Sequence, residues 1–311
     1  MLDGSPAEIR VPQGEGPPAA ALIDGTALAA GLRARLAERV HRLNRRHGVT
    51  LGLAVVLVGD NPASQIYVRA KIRASEEVGI SCVRHDLPAS TVMPELRQLI
   101  SQLNQDDRVD GLLLQLPLPP SINPDAVINA LNPEKDVDGL HTINVGRLAG
   151  GRPGLVPCTP QGCMLLLRSV RPAPAGEHAL IIGRSQLVGR PLAQLLLQAD
   201  CTVTVAHSKT ADLAALCRSA TVVIAAAGRP ELVRGDWIRR GAVVIDAGIN
   251  RVTAPDGTSR IVGDVAFAEA ASRASAMTPV PGGVGPMTVA CLLENTFAAA
   301  CRRRSLDPAT V

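Results

Sequence analysis

Aromatic side chains are almost missing from this chain: 311 residues hold one Trp, one Tyr and two Phe, about 1% of the total. A core without large rings has to be assembled from Ala, Val, Leu and Ile, and hydrophobic residues do make up 46% of the sequence. The lone tyrosine, Tyr67, is conspicuous for the same reason. A membrane span is also lacking, since no apolar run approaches the roughly 20 residues that cross a bilayer. An excess of charge of one sign is lacking too, with 32 Lys and Arg against 28 Asp and Glu. The net charge is +4, and no dense basic block alternates with aromatics, so neither nucleic acid nor a membrane is an expected partner. A mildly basic cleft for a small anionic molecule fits the same balance. The seven cysteines, at 82, 158, 163, 201, 217, 291 and 301, form no CxxC pair and no Cys/His cluster with zinc-ligand spacing. No metal is expected, and an odd number of thiols fits a reduced, cytoplasmic protein. The opening segment MLDGSPAEIRVPQGEGPPAA has no basic start followed by an apolar core, so a signal peptide is not expected. Its Pro, Gly and Glu content reads residues 1–20 as a disordered leader.

What is present is a regular alternation. Asp24 is a plausible cap for a helix carrying Leu28, Leu32 and Leu36 at four-residue spacing. The run LGLAVVLVG (51–59) reads as a buried parallel strand, and Asp60, Asn61 and Pro62 open a second helix that stops near Gly79. SCVRHDL is a further strand, residues 94–104 a helix, and VDGLLLQLPLP (109–119) another buried strand ending in prolines. After a change of character near 157–180, HALIIG, CTVTVAHS, TVVIAAAG and GAVVIDAGI read as strands, with helices at GRPLAQLLLQ and 211–219 between them. The last apolar helix, about Met287 to Cys301, has a choice of either half to pack on. Such alternation implies parallel sheets covered on both faces. The expected fold class is α/β, two α/β domains around a cleft, the C-terminal one (158–286) a Rossmann-like doubly wound parallel sheet.

HALIIG runs straight into GRSQLVGRP and a helix. Gly183 allows a tight turn, Gly189 a close backbone approach, and Pro191 suits a first helical turn, so the helix start offers amides and a positive dipole end to a diphosphate. The spacing departs from G-x-G-x-x-G, and a glycine-rich turn with no ligand is the ordinary alternative. About 20 residues on, where NAD sites carry an acid, the chain reads VTVAHSKT, with His207, Ser208 and Lys209. Arg184 sits in the glycine turn. A guanidinium and a hydroxyl without a competing carboxylate suit a 2′-phosphate, so NADP is expected over NAD, unless Arg184 and Lys209 are merely solvated surface charges.

The N-terminal half holds a less common set. Tyr67 and Lys71 are four apart on one helix face. Gln115 interrupts the apolar strand LLLQLPLP, where a buried amide needs a partner. Asp138 belongs to the charged, turn-rich PEKDVDGL. Singly, each has an ordinary explanation: a surface pair, a structural amide, a turn former before Gly139.

Together they carry a resemblance. Over roughly residues 21–300 the chain resembles the bifunctional methylenetetrahydrofolate dehydrogenase/cyclohydrolases, through VGDNPASQIYVRAK, DGLLLQLPLP, PEKDVDGLHTINVGRL, PCTPQG, GRSQLVGRP, VTVAHSKT, DAGIN, GDV and TPVPGGVGPMT. The resemblance implies a catalytic lysine at Lys71 and a folate-stacking tyrosine at Tyr67. It also implies a glutamine partner to the lysine at Gln115 and a pterin-binding carboxylate at Asp138. Arg184 and Ser208 fall on contacts to the NADP 2′-phosphate, and Gly183, Ser185, Val188, Gly189 and Ile249 along the cofactor. Pro281, Gly282 and Gly283 belong to a stretch that lines the substrate cleft in relatives, though a rigid linker is also open to it. A folate domain over 21–157 completed by helix 287–303, tetrahydrofolate derivatives as substrates and a homodimer are implied in the same way. A relative with only the dehydrogenase activity and a catalytically silent NADP-binding protein are the competing readings.

Overall fold

A computed structural model describes residues 20–253, 257–308 and 310. The expected leader lies outside these residues apart from Ala20. Short strand β1 (Ala21–Leu22) leads into α1 (Gly25–His47). Asp24 caps that helix by accepting from the Ala27 amide at 3.0 Å, and Gly48, at φ 65°, ends it in the left-handed region that glycine tolerates. Next come β2 (Gly52–Val58), α2 (Pro62–Glu77), β3 (Ser81–Leu87), α3 (Met93–Gln105) and β4 (Gly111–Leu114). Asn61 opens α2 by accepting from the Ala63 and Ser64 amides at 3.0 and 3.1 Å, with Pro62 at the first position. The three strands form a parallel sheet in the order β3-β2-β4.

β4 is shorter than the run 109–119 implies, because the following stretch holds Pro117, Pro119 and Pro120, which have no N–H for a ladder. Gln115 therefore lies just past the strand instead of inside it, its amide still donating to Val56 O at 2.9 Å. That end-of-strand position opens it to the cleft.

The chain continues through α4 (Pro124–Ile128), α5 (Thr142–Ala149), α6 (Cys158–Val170), β5 (His178–Ile182), α7 (Gly189–Gln198), β6 (Thr202–Ala206), α8 (Leu213–Ser219), β7 (Val222–Ala225) and β8 (Val243–Asp246). A hairpin of β9 (Asn250–Thr253) and β10 (Ser259–Val262) follows, then α9 (Phe267–Ala271), β11 (Ala276–Met277) and α10 (Val284–Arg303). The second sheet is all parallel, in the order β1-β11-β8-β7-β5-β6. Its winding reverses beside β5, so a crevice opens at the carboxyl ends of β5 and β7. Two layouts escape the hydrophobic pattern. Ala21 and Leu22 lend an edge strand to this second sheet, and the β9–β10 hairpin projects from it as an antiparallel pair.

Two helices run through both cores. Ala29 of α1 and Val284, Met287 and Ala290 of α10 pack with Ile181, Leu192 and Ile245 of the second sheet's core. Further along, Leu36, Val40 and Leu43 of α1 and Leu292, Leu293 and Phe297 of α10 pack with Leu53, Val55 and Leu57 of the first. Each of the larger of these side chains, Val to Phe, stabilises the fold by roughly 1.5–3 kcal/mol. The choice open to the last helix is resolved by its joining both halves. By length and hydropathy α10 also passes as a membrane span, but most of it is buried inside the protein, as in any core helix.

Candidate active site

Tyr67 and Lys71 project from one face of α2 towards the end of β4, and a cavity of about 360 Å³ brings them together with Gln115 and Asp138. Lys71 Nζ donates to Gln115 Oε1 at 3.1 Å, while Gln115 Nε2 donates to Leu116 O at 2.7 Å. The second bond fixes which way the amide points, so its oxygen faces the lysine. Tyr67 is 43% exposed, leaving its ring open at the mouth for a flat ligand. Burial pushes the Asp138 carboxyl above its ordinary range, the Lys71 ammonium opposes that rise, and Asp136 adds to it. Cys158 donates to Val137 O at 3.3 Å and lies 3.8 Å from Asp138 Oδ1. Burial, with the Asp138 charge, raises its thiol well above the usual value, so it acts as a neutral neighbour and not as a nucleophile.

The loop carrying Asp138 is held on several sides. Gly139 sits at φ 68° with a Cβ position 2.6 Å from Val156 C, so only glycine fits, and the loop is a tight turn as well as a site wall. Asp136 Oδ2 accepts from the His141 amide at 2.8 Å and Asn144 Nδ2 at 2.9 Å. Lys135 is buried and caps α3, its Nζ donating to Leu103 O at 3.1 Å and Asp106 O at 2.8 Å. From α10, Asn295 Nδ2 donates to Val137 O and Val156 O, both at 2.8 Å. Asn295 escaped the sequence reading; the one carboxamide side chain in a mostly apolar helix was the available signal.

On the other wall, Gly183 lies at φ 129° with its Cβ position 2.1 Å from Ala226 O, and that of Gly189 is 2.0 Å from Gly183 O. The turn between them is pinned by the Val188 amide donating to Ser185 Oγ and the Arg190 amide to Ser185 O, each at 3.1 Å. Ile182 pairs with Ala206, so Arg184 and Ser208 each stand two residues past that pair, at one end of the sheet, and both are exposed. The nearest following acid, Asp212, is committed to capping α8 through the Ala215 amide at 3.0 Å. Val188 and Ile249 line the Lys71 cavity, whereas Gly183, Arg184, Ser185, Gly189 and Ser208 do not.

Pro281, Gly282 and Gly283 border an adjoining cavity of about 1050 Å³, which shares Tyr67, Ala247, Ile249, Val284 and Gly285 with the first. A third, of about 620 Å³, lies behind Leu116, Leu140 and Leu187 and holds none of the four site residues. Two acids in the DAGIN and GDV segments organise this wall, a role the sequence reading had not given them. Asp264 accepts from the amides of Ala227, Gly228 and Arg229 at 2.6–2.9 Å and from Asn250 Nδ2 at 2.8 Å. Asp246 accepts from the amides of Gly248, Asp264 and Val265 at 2.8–3.0 Å, and burial pushes its carboxyl up to about 6. Among the described residues no group of three or more His, Cys, Asp or Glu is arranged to hold a metal ion.

Several known proteins resemble this chain over most of its length. The tetrahydrofolate dehydrogenase/cyclohydrolase family matches in two parts, its catalytic domain over residues 23–138 and its NAD(P)-binding domain over 157–304. Bifunctional protein FolD of Rhodospirillum centenum is 56% identical over 295 residues, 93% of this chain and 97% of that protein. The crystal structure of the bifunctional enzyme FolD, methylenetetrahydrofolate dehydrogenase/cyclohydrolase, from Campylobacter jejuni matches with a TM-score of 0.88 at 48% identity, covering 92% of this chain and 100% of that one. The Trypanosoma brucei N5,N10-methylenetetrahydrofolate dehydrogenase-cyclohydrolase, solved with NADP cofactor and an inhibitor, matches with a TM-score of 0.89 at 41% identity, covering 92% and 99%.

Proposed function

The chain belongs to the tetrahydrofolate dehydrogenase/cyclohydrolase family, and from that premise we propose how its own residues carry the two activities. It is a bifunctional one-carbon folate enzyme. It oxidises 5,10-methylene-tetrahydrofolate with NADP and hydrolyses the resulting 5,10-methenyl compound to 10-formyl-tetrahydrofolate. The observation that carries the site assignment is the Lys71–Gln115 hydrogen bond, 3.1 Å long, in a cavity shared with Tyr67 and Asp138.

The residues of the second domain fit NADP. The turn from Gly183 to Gly189 presses backbone on backbone, while Arg184 and Ser208 stand exposed at one strand end with the nearest acid engaged elsewhere. Arg184 and Ser208 hold the 2′-phosphate, Gly183, Ser185, Val188 and Gly189 take the diphosphate side, and Ile249 faces the cleft. When bound, NADP supplies the hydride acceptor.

Asp138 accepts hydrogen bonds from the pterin amino and ring N–H groups, and Tyr67 offers its face to the folate ring system. Pro281, Gly282 and Gly283 border the passage that the rest of the substrate follows. Oxidation leaves a cation spread over the two folate nitrogens, so this step asks for alignment and for no proton acceptor. Hydrolysis differs. Water adds to the cationic carbon and gives a proton to Lys71, which acts in this step as the neutral amine beside a cationic substrate; the bond from that carbon to N5 then breaks as this proton passes to N5, and the remaining hydroxyl proton leaves to solvent as the formyl C=O forms. Gln115 orients the amine without adding charge.

On this reading residues 21–157 with 287–303 carry the folate site and 158–286 the cofactor site, with the correction that Ala21 and Leu22 pair in the second sheet and that α1 and α10 pack on both cores. The protein works in the cytoplasm as a homodimer on tetrahydrofolate derivatives, with neither nucleic acid nor a membrane as partner. Support for this comes from the family resemblance and the modest, dispersed charge of the chain. An ultraviolet assay with methylene-tetrahydrofolate and NADP is the test. NADPH and methenyl-tetrahydrofolate form together, and the methenyl compound then decays faster than in buffer. No NADPH would end the reading, and decay at the buffer rate would leave a dehydrogenase alone.

A further inference from the structure

The cleft does not end at Tyr67. It widens into the larger cavity of about 1050 Å³, and because the two share Tyr67 and Ile249, a ligand lying on the tyrosine continues from one into the other. Sheet topology separates the two occupants of the cleft. Arg184 and Ser208, the phosphate-binding pair, follow β5 and β6 at one edge of the sheet. The larger cavity is bordered by the segments after β8 and β11, at the other side. It is therefore left to the distal part of the second ligand.

Its walls are mostly apolar, with Pro62, Ile66, Ile261 and Val280 among them, and they carry two charged side chains. Asp246 is buried and engaged by three backbone amides. Arg251, on β9, is exposed and makes no ion pair with any described residue. An apolar passage bordered by one guanidinium that forms no ion pair among the described residues matches a ligand whose flat stem ends in carboxylates.

We propose that Arg251 anchors the glutamyl carboxylates at the tail of the folate substrate, making the β9–β10 hairpin a substrate-recognition edge. The proposal rests on the folate reading of the same cleft: pterin at Asp138, aminobenzoyl ring beyond Tyr67, glutamyl group at Arg251. It makes the glutamylated substrates, and not one without the tail, depend on this cation.

The experiment compares three substrates with the unmodified protein and Arg251→Gln: methylene-tetrahydrofolate, its triglutamyl form, and methylene-tetrahydropteroate, which has no glutamate. The expected result is a rise of about three- to tenfold in KM for both glutamylated substrates, the range between an exposed and a partly desolvated ion pair. The tail-less KM stays within twofold, so selectivity for the tail collapses by the same factor, and Arg251→Lys recovers part of it. Equal shifts for all three substrates, or none, overturn the proposal. Titration calorimetry with the three folates reads the same ratio as Kd without turnover. A protein that oxidises none of them therefore refutes the catalytic reading, while the binding ratio still decides the role of Arg251.

Discussion

Lys71 reaches from the middle of α2 to the residue that follows β4, and its Nζ donates to Gln115 Oε1 at 3.1 Å. The amide cannot rotate to offer its nitrogen instead, because Nε2 is held by Leu116 O at 2.7 Å. The pair is thus a lysine aimed by a neutral acceptor, which leaves the positive charge to move with the proton. Lys71→Met keeps the length and removes the amine. Cyclohydrolase activity should fall by at least about 10²-fold, the lower end of what a general acid–base group contributes. Dehydrogenase activity should stay measurable, and methenyl-tetrahydrofolate should accumulate in the assay. Hydrolysis at the unmodified rate by folded variant protein would assign the proton transfer to another group.

Asn295 spends both hydrogens of its amide on the carbonyls that flank the folate wall, Val137 O and Val156 O. Asn295→Leu leaves both without that donor. The expected cost is about 1–3 kcal/mol, mainly from Val156 O because Val137 O keeps the Cys158 thiol, read by denaturant unfolding. Because Val137 precedes Asp138, the folate KM should also rise about tenfold while the NADP KM holds. A variant that is destabilised with an unchanged folate KM restricts Asn295 to a role in the fold.

The Asp246 carboxyl, raised to about 6 chiefly by burial, makes stability depend on pH in a defined direction. Its unfolded value is about 3.9. Between those values the folded chain holds the proton and the unfolded chain has lost it, so stability falls as pH rises from about 4 to about 6 and is level above. Two units correspond to at most about 3 kcal/mol. Denaturant unfolding at pH 4.5 and 6.5 should show this slope in the unmodified protein and its loss in Asp246→Asn. Parallel pH dependence of the two proteins would remove the assignment.

What could be read from the sequence was what is local. The Tyr67–Lys71 face needs only a helix, and β2 needs only a run of branched apolar residues between turn formers. Asp24 and Asn61 announced their helices because a cap acts over three residues. The illegible parts depend on distant partners. Asn295 bonds to a carbonyl 158 positions away, and Ala21 finds its strand partner at Ala276. α6 was hidden by Pro160 and Gly162, yet Gly162 is what lets α10 approach, with Met287 Cβ only 2.9 Å from the position of an added Cβ. Asp246 and Asp264 did not stand out in the sequence because the amides they receive come from several loops at once. The fold class and the four cleft residues were accessible through periodicity and resemblance; the supporting shell was not.

On the proposed reading, cofactor choice turns on Arg184. It follows β5 by two residues, Ser208 follows β6 by two, and the strands are in register through Ile182 and Ala206, so both side chains start from one level of the sheet. The neighbouring His207 and Lys209 bring no carboxylate, and Asp212 is tied to the Ala215 amide. A dianionic 2′-phosphate placed there would meet a guanidinium and a hydroxyl with no like charge against it, whereas the free ribose hydroxyl of NAD would gain nothing from the cation. Arg184→Ala removes a charge-assisted contact of about 1.5–3 kcal/mol, or roughly 10- to 150-fold in Kd. Because the side chain is exposed, the lower part of that range is expected. The loss should appear in the NADP KM and not in the NAD KM, and it should shrink as salt is added, since screening weakens the contact being removed. Equal efficiency of the unmodified protein with NAD and NADP, or an equal loss with both in the variant, would detach Arg184 from the phosphate.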